Sequence, residues 1–169
     1  MRIYIDFLQS RNFIFPVVPG NPYATIGGAV AANVHGKNCY SNSVIYNHII
    51  SLKIILPSSK VIECFPGEPL FEVTVGGYGI TGIILEIKLK CIHSTNNGVK
   101  LKYYQVKSLK EAGLLMPNLK NHDYLYSFHN SSSPLHNSKG FIVAADYAKI
   151  SSSKNKLPID RLLDNENSY

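Results

Sequence analysis

A chain of 169 residues, 45% hydrophobic and 17% charged, has room for one folded domain or one and part of a second, which excludes disorder over most of its length. The formal charge of +6 suits anionic ligands, yet arginine is scarce and the lysines are dispersed, six of them between residues 88 and 110 alternating with apolar residues as on the wet face of strands, so no nucleic-acid surface is expected. Cys39, Cys64 and Cys91 form no CxxC pair, the histidines show no HxH or HExxH spacing, and no apolar run reaches about 18 residues, so no zinc site, other metal centre, disulfide framework or transmembrane segment is expected and a cytoplasmic protein with reduced thiols is the default.

Residues 3–11 place Ile3, Phe7 and Leu8 at helical spacing, with Asn12 to end the helix. That helix starts without a cap, as a piece of something longer would. Phe13–Val18 reads as a short apolar strand. It delivers the chain into Pro19-Gly20-Asn21-Pro22, a double turn signal. Thr25 then stands at an N-cap position before Ile26-Gly27-Gly28-Ala29-Val30-Ala31-Ala32, a short helix of small residues. It runs out into Asn33-Val34-His35-Gly36-Lys37-Asn38. Cys39–Asn47 reads as an irregular loop. His48–Pro57 and Lys60–Phe65 read as a hairpin turning at Pro57-Ser58-Ser59. Glu68–Thr74 is a short helix burying Leu70, Phe71 and Val75.

A second glycine cluster follows, Val75-Gly76-Gly77-Tyr78-Gly79-Ile80-Thr81-Gly82, and leads into an amphipathic strand over 83–91. Beyond a linker at Ser94–Gly98, Val99–Val106 is a strand. Ser108–Leu115 is a helix with Ser108 as N-cap and Glu111 at the capping-box position. Tyr124–Phe128 and Phe141–Asp146 are two further strands around a polar loop, Asn130–Lys139. The composition of 151–169 predicts a disordered tail.

Nine of the 12 glycines lie between residues 20 and 82. Paired glycines at a helix start let a ligand approach the backbone closely, and the unpaired amides there favour an anion such as a phosphate. The imidazole of His35 and the ammonium of Lys37 follow directly. A plain alternative is a tight turn, a buried small-residue helix and a polar loop. The later cluster is no dinucleotide fingerprint of the Rossmann kind, because a strand and not a long helix follows it.

Two stretches, Pro19–Asn38 and Leu70–Ile84, together resemble the FAD-binding domain of the p-cresol-methylhydroxylase (PCMH) type, in the vanillyl-alcohol-oxidase superfamily. The His-Gly-Lys-Asn ending and the later Gly-Gly-x-Gly-x-Thr-Gly are most similar to the decaprenylphosphoryl-ribose 2-oxidase branch, with aldonolactone oxidases as neighbours. The resemblance covers residues 3–93 well and continues weakly to about Ala148. It implies an α+β fold: the second part of such an FAD-binding domain over 1–93, then the beginning of a substrate domain over 94–150. It also implies FAD as cofactor, with Gly20, Thr25, Ile26, Gly27, Gly28, Ala32, Asn33, Val34 and His35 lining it and Ile84 near its adenine side. His35 and Lys37 are the implied catalytic candidates, His35 orienting substrate or tuning the flavin and Lys37 offsetting negative charge.

The N-terminal subdomain of this domain type, with its first pyrophosphate-gripping loop, has no counterpart in the sequence, and neither has most of the substrate domain. The expectation is therefore a fragment whose missing halves are separate chains or are lost. Three functions stay open: an FAD-linked oxidation of a sugar or sugar-lipid hydroxyl, an aldonolactone-type oxidation, and a non-catalytic remnant without cofactor.

Overall fold

The computed structural model describes residues 1–149 other than Pro22, Ser131 and 133–137; the tail expected over 151–169 and most of the loop over 130–139 lie outside them. Helices and antiparallel sheets combine in an α+β architecture.

Helix α1 covers Arg2–Gln9 and ends where Asn12 takes a left-handed φ of 60°. Strand β1 is only Phe13–Ile14. The strand expected over Phe13–Val18 is corrected: Pro16 has no amide hydrogen to give a ladder, and Phe15 and Val17 are buried as irregular backbone. Helix α2 is Ile26–Ala31. The irregular loop expected over Cys39–Asn47 is also corrected. It holds a helical turn, α3 at Cys39–Asn42, and a 3-10 turn at Ile45–His48 whose Ile45 is fully buried. Single turns of this kind are too short to leave a periodic signal in sequence.

Strands β2 (Ile49–Ile55) and β3 (Val61–Cys64) form the expected hairpin, Ile55 opposite Val61. Helix α4 is Pro69–Thr74, with Phe71 fully buried, and β4 is Ile83–Leu89. β4 pairs with the other side of β2, giving the order β3-β2-β4. Two register shifts along β2 and β4 break the strict alternation of faces. A two-residue β5, Ile92–His93, pairs back on β1. The core beneath this sheet gathers Val17, Val30, Ile45, Leu52, Ile54 and Phe71, all fully excluded from solvent.

The third sheet follows: β6 (Gly98–Val106), then α5 (Leu109–Leu115), β7 (Tyr124–His129) and β8 (Gly140–Ala148), in the order β6-β8-β7. Ser108 Oγ accepts the Glu111 amide at 3.2 Å, as its N-cap position requires. Glu111 reaches back to the amide of Lys107 rather than to that of Ser108, a capping box displaced by one residue. One face of the sheet packs Leu125, Ile142 and Ala144 against Ala112 of α5, a second apolar cluster. The register places Tyr103, Tyr126, Phe128 and Phe141 together on the opposite face.

Candidate functional site

Thr25 starts α2 by accepting the Gly28 amide on its side-chain oxygen at 3.0 Å, with extended backbone at the cap itself. Four small residues then let Ala29 and Val30 sink into the core. Ala32 closes the helix and Asn33 turns the chain with a left-handed φ of 43°. The Asn33 side chain is engaged, its Oδ1 accepting the Tyr46 amide at 3.3 Å. Val34 is half-buried against the core, and its carbonyl accepts the Ile45 amide.

The second glycine-rich bend meets the far end of this helix, opposite the turn that holds Gly27 and Gly28. The Gly76 amide donates to the Val30 carbonyl at 3.1 Å, and the Tyr78 amide to the Ala31 carbonyl at 2.9 Å. The last carbonyls of a helix lack partners within it; the second bend, more than forty residues away in sequence, supplies one to Ala31 and adds a second to Val30, which also accepts the Asn33 amide. Gly76 makes this approach with φ of 82°, and a Cβ there would rest on Cβ of Asn33.

The glycines divide by what surrounds them. At Gly77 a Cβ would collide with the Val73 carbonyl, at Gly82 with the Ile55 carbonyl, and at Gly36 with Oδ1 of Asn38 and the Val18 carbonyl. Those three are required by the chain's own packing. At Gly20 and Gly27 a Cβ would meet nothing within 4 Å. Gly27 stands in the first turn of α2, where glycine weakens a helix. Nothing inside the chain compensates for it. What its bare backbone offers is open space beside the first turn of α2, as Gly113 does in α5.

His35 is exposed and is tied to Val44 by an isolated antiparallel bridge. Its Nδ1 lies 3.3 Å from the Gly36 carbonyl. A carbonyl only accepts, so in this contact Nδ1 is the donor, and Nε2 is the ring nitrogen with no contact of its own to that carbonyl. Asn38 is buried and its amide donates to the Pro16 carbonyl, which ties the end of the loop to the segment that leads into the first bend. Ile84 stands on β4 opposite Ile54, half-buried against the core.

Lys37 is exposed, and its ammonium lies against aromatic rings. Its Nζ lies over the ring of Tyr126 at 4.7 Å from the centroid and 5.7 Å from that of Phe128. Its carbonyl accepts the Leu125 amide at 3.0 Å. Sequence reading missed Tyr126, Phe128 and Leu125 as neighbours of the site. The alternation Tyr124-Leu125-Tyr126-Ser127-Phe128 marks an aromatic strand face, but nothing local says what that face meets.

Among the described residues, no three His, Cys, Asp or Glu side chains stand together as a metal site, and no helix is long and apolar enough to cross a membrane. A shallow polar hollow between Asn12–Ile14 and Ser94–Asn97 lies elsewhere, lined by none of the expected site residues.

Residues 5–65 match the family model described as an FAD binding domain. A decaprenylphosphoryl-beta-D-ribose oxidase of Mycolicibacterium smegmatis is 40% identical over 78 residues, which cover 44% of this chain and 17% of that protein. A mitochondrial cytochrome D-lactate dehydrogenase of Saccharomyces cerevisiae is 28% identical over 121 residues, 68% of this chain and 20% of the relative. The corresponding Arabidopsis thaliana enzyme is 30% identical over 92 residues, 50% and 16%. The matched stretch is thus no more than about a fifth of the length of each of these relatives.

Proposed function

From the premise that residues 5–65 are part of an FAD binding domain, we propose that the chain is a portion of an FAD-linked oxidoreductase of the PCMH type acting on the CH–OH group of a sugar or sugar-lipid. Gly20, Thr25, Ile26, Gly27 and Gly28 line the cofactor on one side of α2, with Ala32, Asn33, Val34 and His35 continuing that wall and Ile84 toward the adenine. FAD supplies the hydride acceptor when bound; the protein binds it, orients it and sets the charge around it. His35 orients substrate or tunes the flavin through its imidazole. The remaining parts of the domain come from other chains or from sequence outside this one.

The observation that carries this reading is the contact of the second glycine-rich bend with the helix that the first one opens. Gly76 and Tyr78 bond the end of the same helix whose first turn holds Gly27, a glycine without a packing reason. Several relatives are named D-lactate dehydrogenases, which favours a small 2-hydroxy acid as the second reading of the substrate. Titrating the purified chain with FAD and following flavin fluorescence tests the cofactor assignment. Saturable quenching is expected, and fluorescence equal to that of free FAD throughout would defeat it. With FAD bound, bleaching of the flavin absorbance by a sugar carbinol but not by D-lactate separates the two substrates. His35→Ala is expected to slow that bleaching by an order of magnitude or more while changing FAD affinity little; equal loss of both would make His35 structural.

A further inference from the structure

Lys37 stands in the middle of a set of contacts that join the first glycine bend to the third sheet. β7 is an outer strand of that sheet, so one of its backbone edges has no strand beside it. The loop after α2 covers that edge. Leu125 donates its amide to the Lys37 carbonyl at 3.0 Å, and two residues earlier on the same edge the Asp123 carbonyl accepts from Ser41 Oγ at 2.7 Å. The Lys37 side chain then passes to the aromatic face, over Tyr126 and Phe128. Phe128 packs on Phe141 at 5.5 Å and on Tyr126 at 5.4 Å between centroids, and Phe141 on Tyr103 at 6.0 Å, so the rings under the ammonium are themselves held. On its other side the loop is fixed by the His35–Val44 bridge and by Asn38 on Pro16.

We propose that Lys37 is a positioning residue, whose ammonium clamped over Tyr126 and Phe128 seats the loop on the edge of β7 and so fixes where the His35 imidazole stands. This rests on the flavin reading only for what His35 faces; the clamp itself is a property of the free chain. It differs from a lysine that meets ligand charge directly. A direct contact acts whether or not the rings are present, whereas a clamp needs both halves.

A double-mutant cycle tests this on the full chain. Lys37→Met keeps the length and removes the charge. Tyr126→Leu with Phe128→Leu keeps apolar bulk and removes the rings. Each is expected to speed hydrogen exchange of the Leu125 amide about fivefold, the size of one exposed cation–ring contact, and to shift the His35 ring-proton resonances. The combined variant is expected to exchange no faster than either parent. Lys37→Arg restores wild-type exchange, because a guanidinium stacks on rings at least as well. FAD affinity is expected to follow the same non-additive pattern. The proposal is overturned if the ring variant leaves Leu125 exchange and the His35 resonances unchanged. It is equally overturned if Lys37→Met weakens FAD by the same factor with and without the rings. In the wild-type chain the Lys37 methylene protons next to the ammonium are expected upfield through ring currents; ordinary positions would refute the clamp even if the ring variant fails to fold. Absence of FAD binding in the wild type defeats the flavin reading alone, since exchange and resonance position still decide the clamp.

Discussion

Gly27 and Gly77 are indistinguishable in a sequence, each half of a glycine pair, yet their surroundings assign them opposite work. A methyl group at 77 runs into the Val73 carbonyl. Backbone cannot give way as a side-chain tip can, so Gly77→Ala is expected to lower stability by about 1–3 kcal/mol, the range for overpacking, read as a lower urea midpoint at unchanged slope. At 27 the methyl group meets nothing within 4 Å. Gly27→Ala is therefore expected to raise stability by roughly 0.4–1 kcal/mol, by narrowing the unfolded ensemble. The same change is expected to weaken FAD at least tenfold. Opposite movements of stability and affinity at one residue are the signature of a glycine kept for a ligand. If both rise, or affinity is unmoved, the space beside Gly27 is not the cofactor's.

At the scale of elements, caps were the most legible features. Thr25 and Ser108 each accept the amide three residues on, and both positions follow from residue type before a helical run. Replacing either with alanine is expected to cost about 1 kcal/mol, measured by chemical denaturation. The β2–β3 hairpin was legible for the same reason, a turn signal between two branched apolar runs. The turns at Cys39–His48 were not, because burial of Ile45 and the Val34–Ile45 bond make them, not local propensity. Of the candidate site, the two glycine-rich turns were legible as places where backbone comes close to something, and the second does so against the end of α2. The partner of Lys37 was not, since a cation gives no sign in sequence of which distant rings it meets.

Elements are also joined by carboxylates, and these give the chain an acid dependence. Glu72 on α4 accepts from Tyr46 Oη at 2.6 Å and from the Gly67 amide at 2.8 Å, which lowers its pKa, the tyrosine bond contributing most. Glu63 on β3 is lowered first by Lys88 Nζ and then by Ser51 Oγ, both at 2.8 Å. A carboxyl whose pKa is depressed by folding stabilises the folded state above its unfolded value, about 4.3. That contribution is lost as pH falls through the folded value. The urea midpoint is expected to be flat above about pH 5 and to fall below about pH 4. Glu72→Gln is expected to shallow that fall, and an unchanged slope would show that the Tyr46 bond does not persist in solution.

The described residues form two apolar clusters, one under β3-β2-β4 and one between α5 and the third sheet. The links identified between them at the Lys37 loop are two backbone-edge hydrogen bonds and one cation over rings. Net gains from such links are on the order of 1 kcal/mol each, whereas emptying a core position costs several. Cooperativity within each cluster therefore exceeds cooperativity between them. Phe71→Ala, at a fully buried position, is expected to cost about 3–5 kcal/mol and to accelerate exchange of the β2 amides. The amides of β8 should keep most of their protection. Ile142→Ala, equally buried, is expected to do the reverse at about 2–5 kcal/mol. If either substitution releases both sheets to the same extent, the two clusters unfold as one body. The loop at Lys37 would then be part of a continuous core rather than a joint. If they separate as expected, FAD bound along α2 should protect β2 strongly and β8 only through that joint, and Lys37→Met should abolish the second effect while leaving the first.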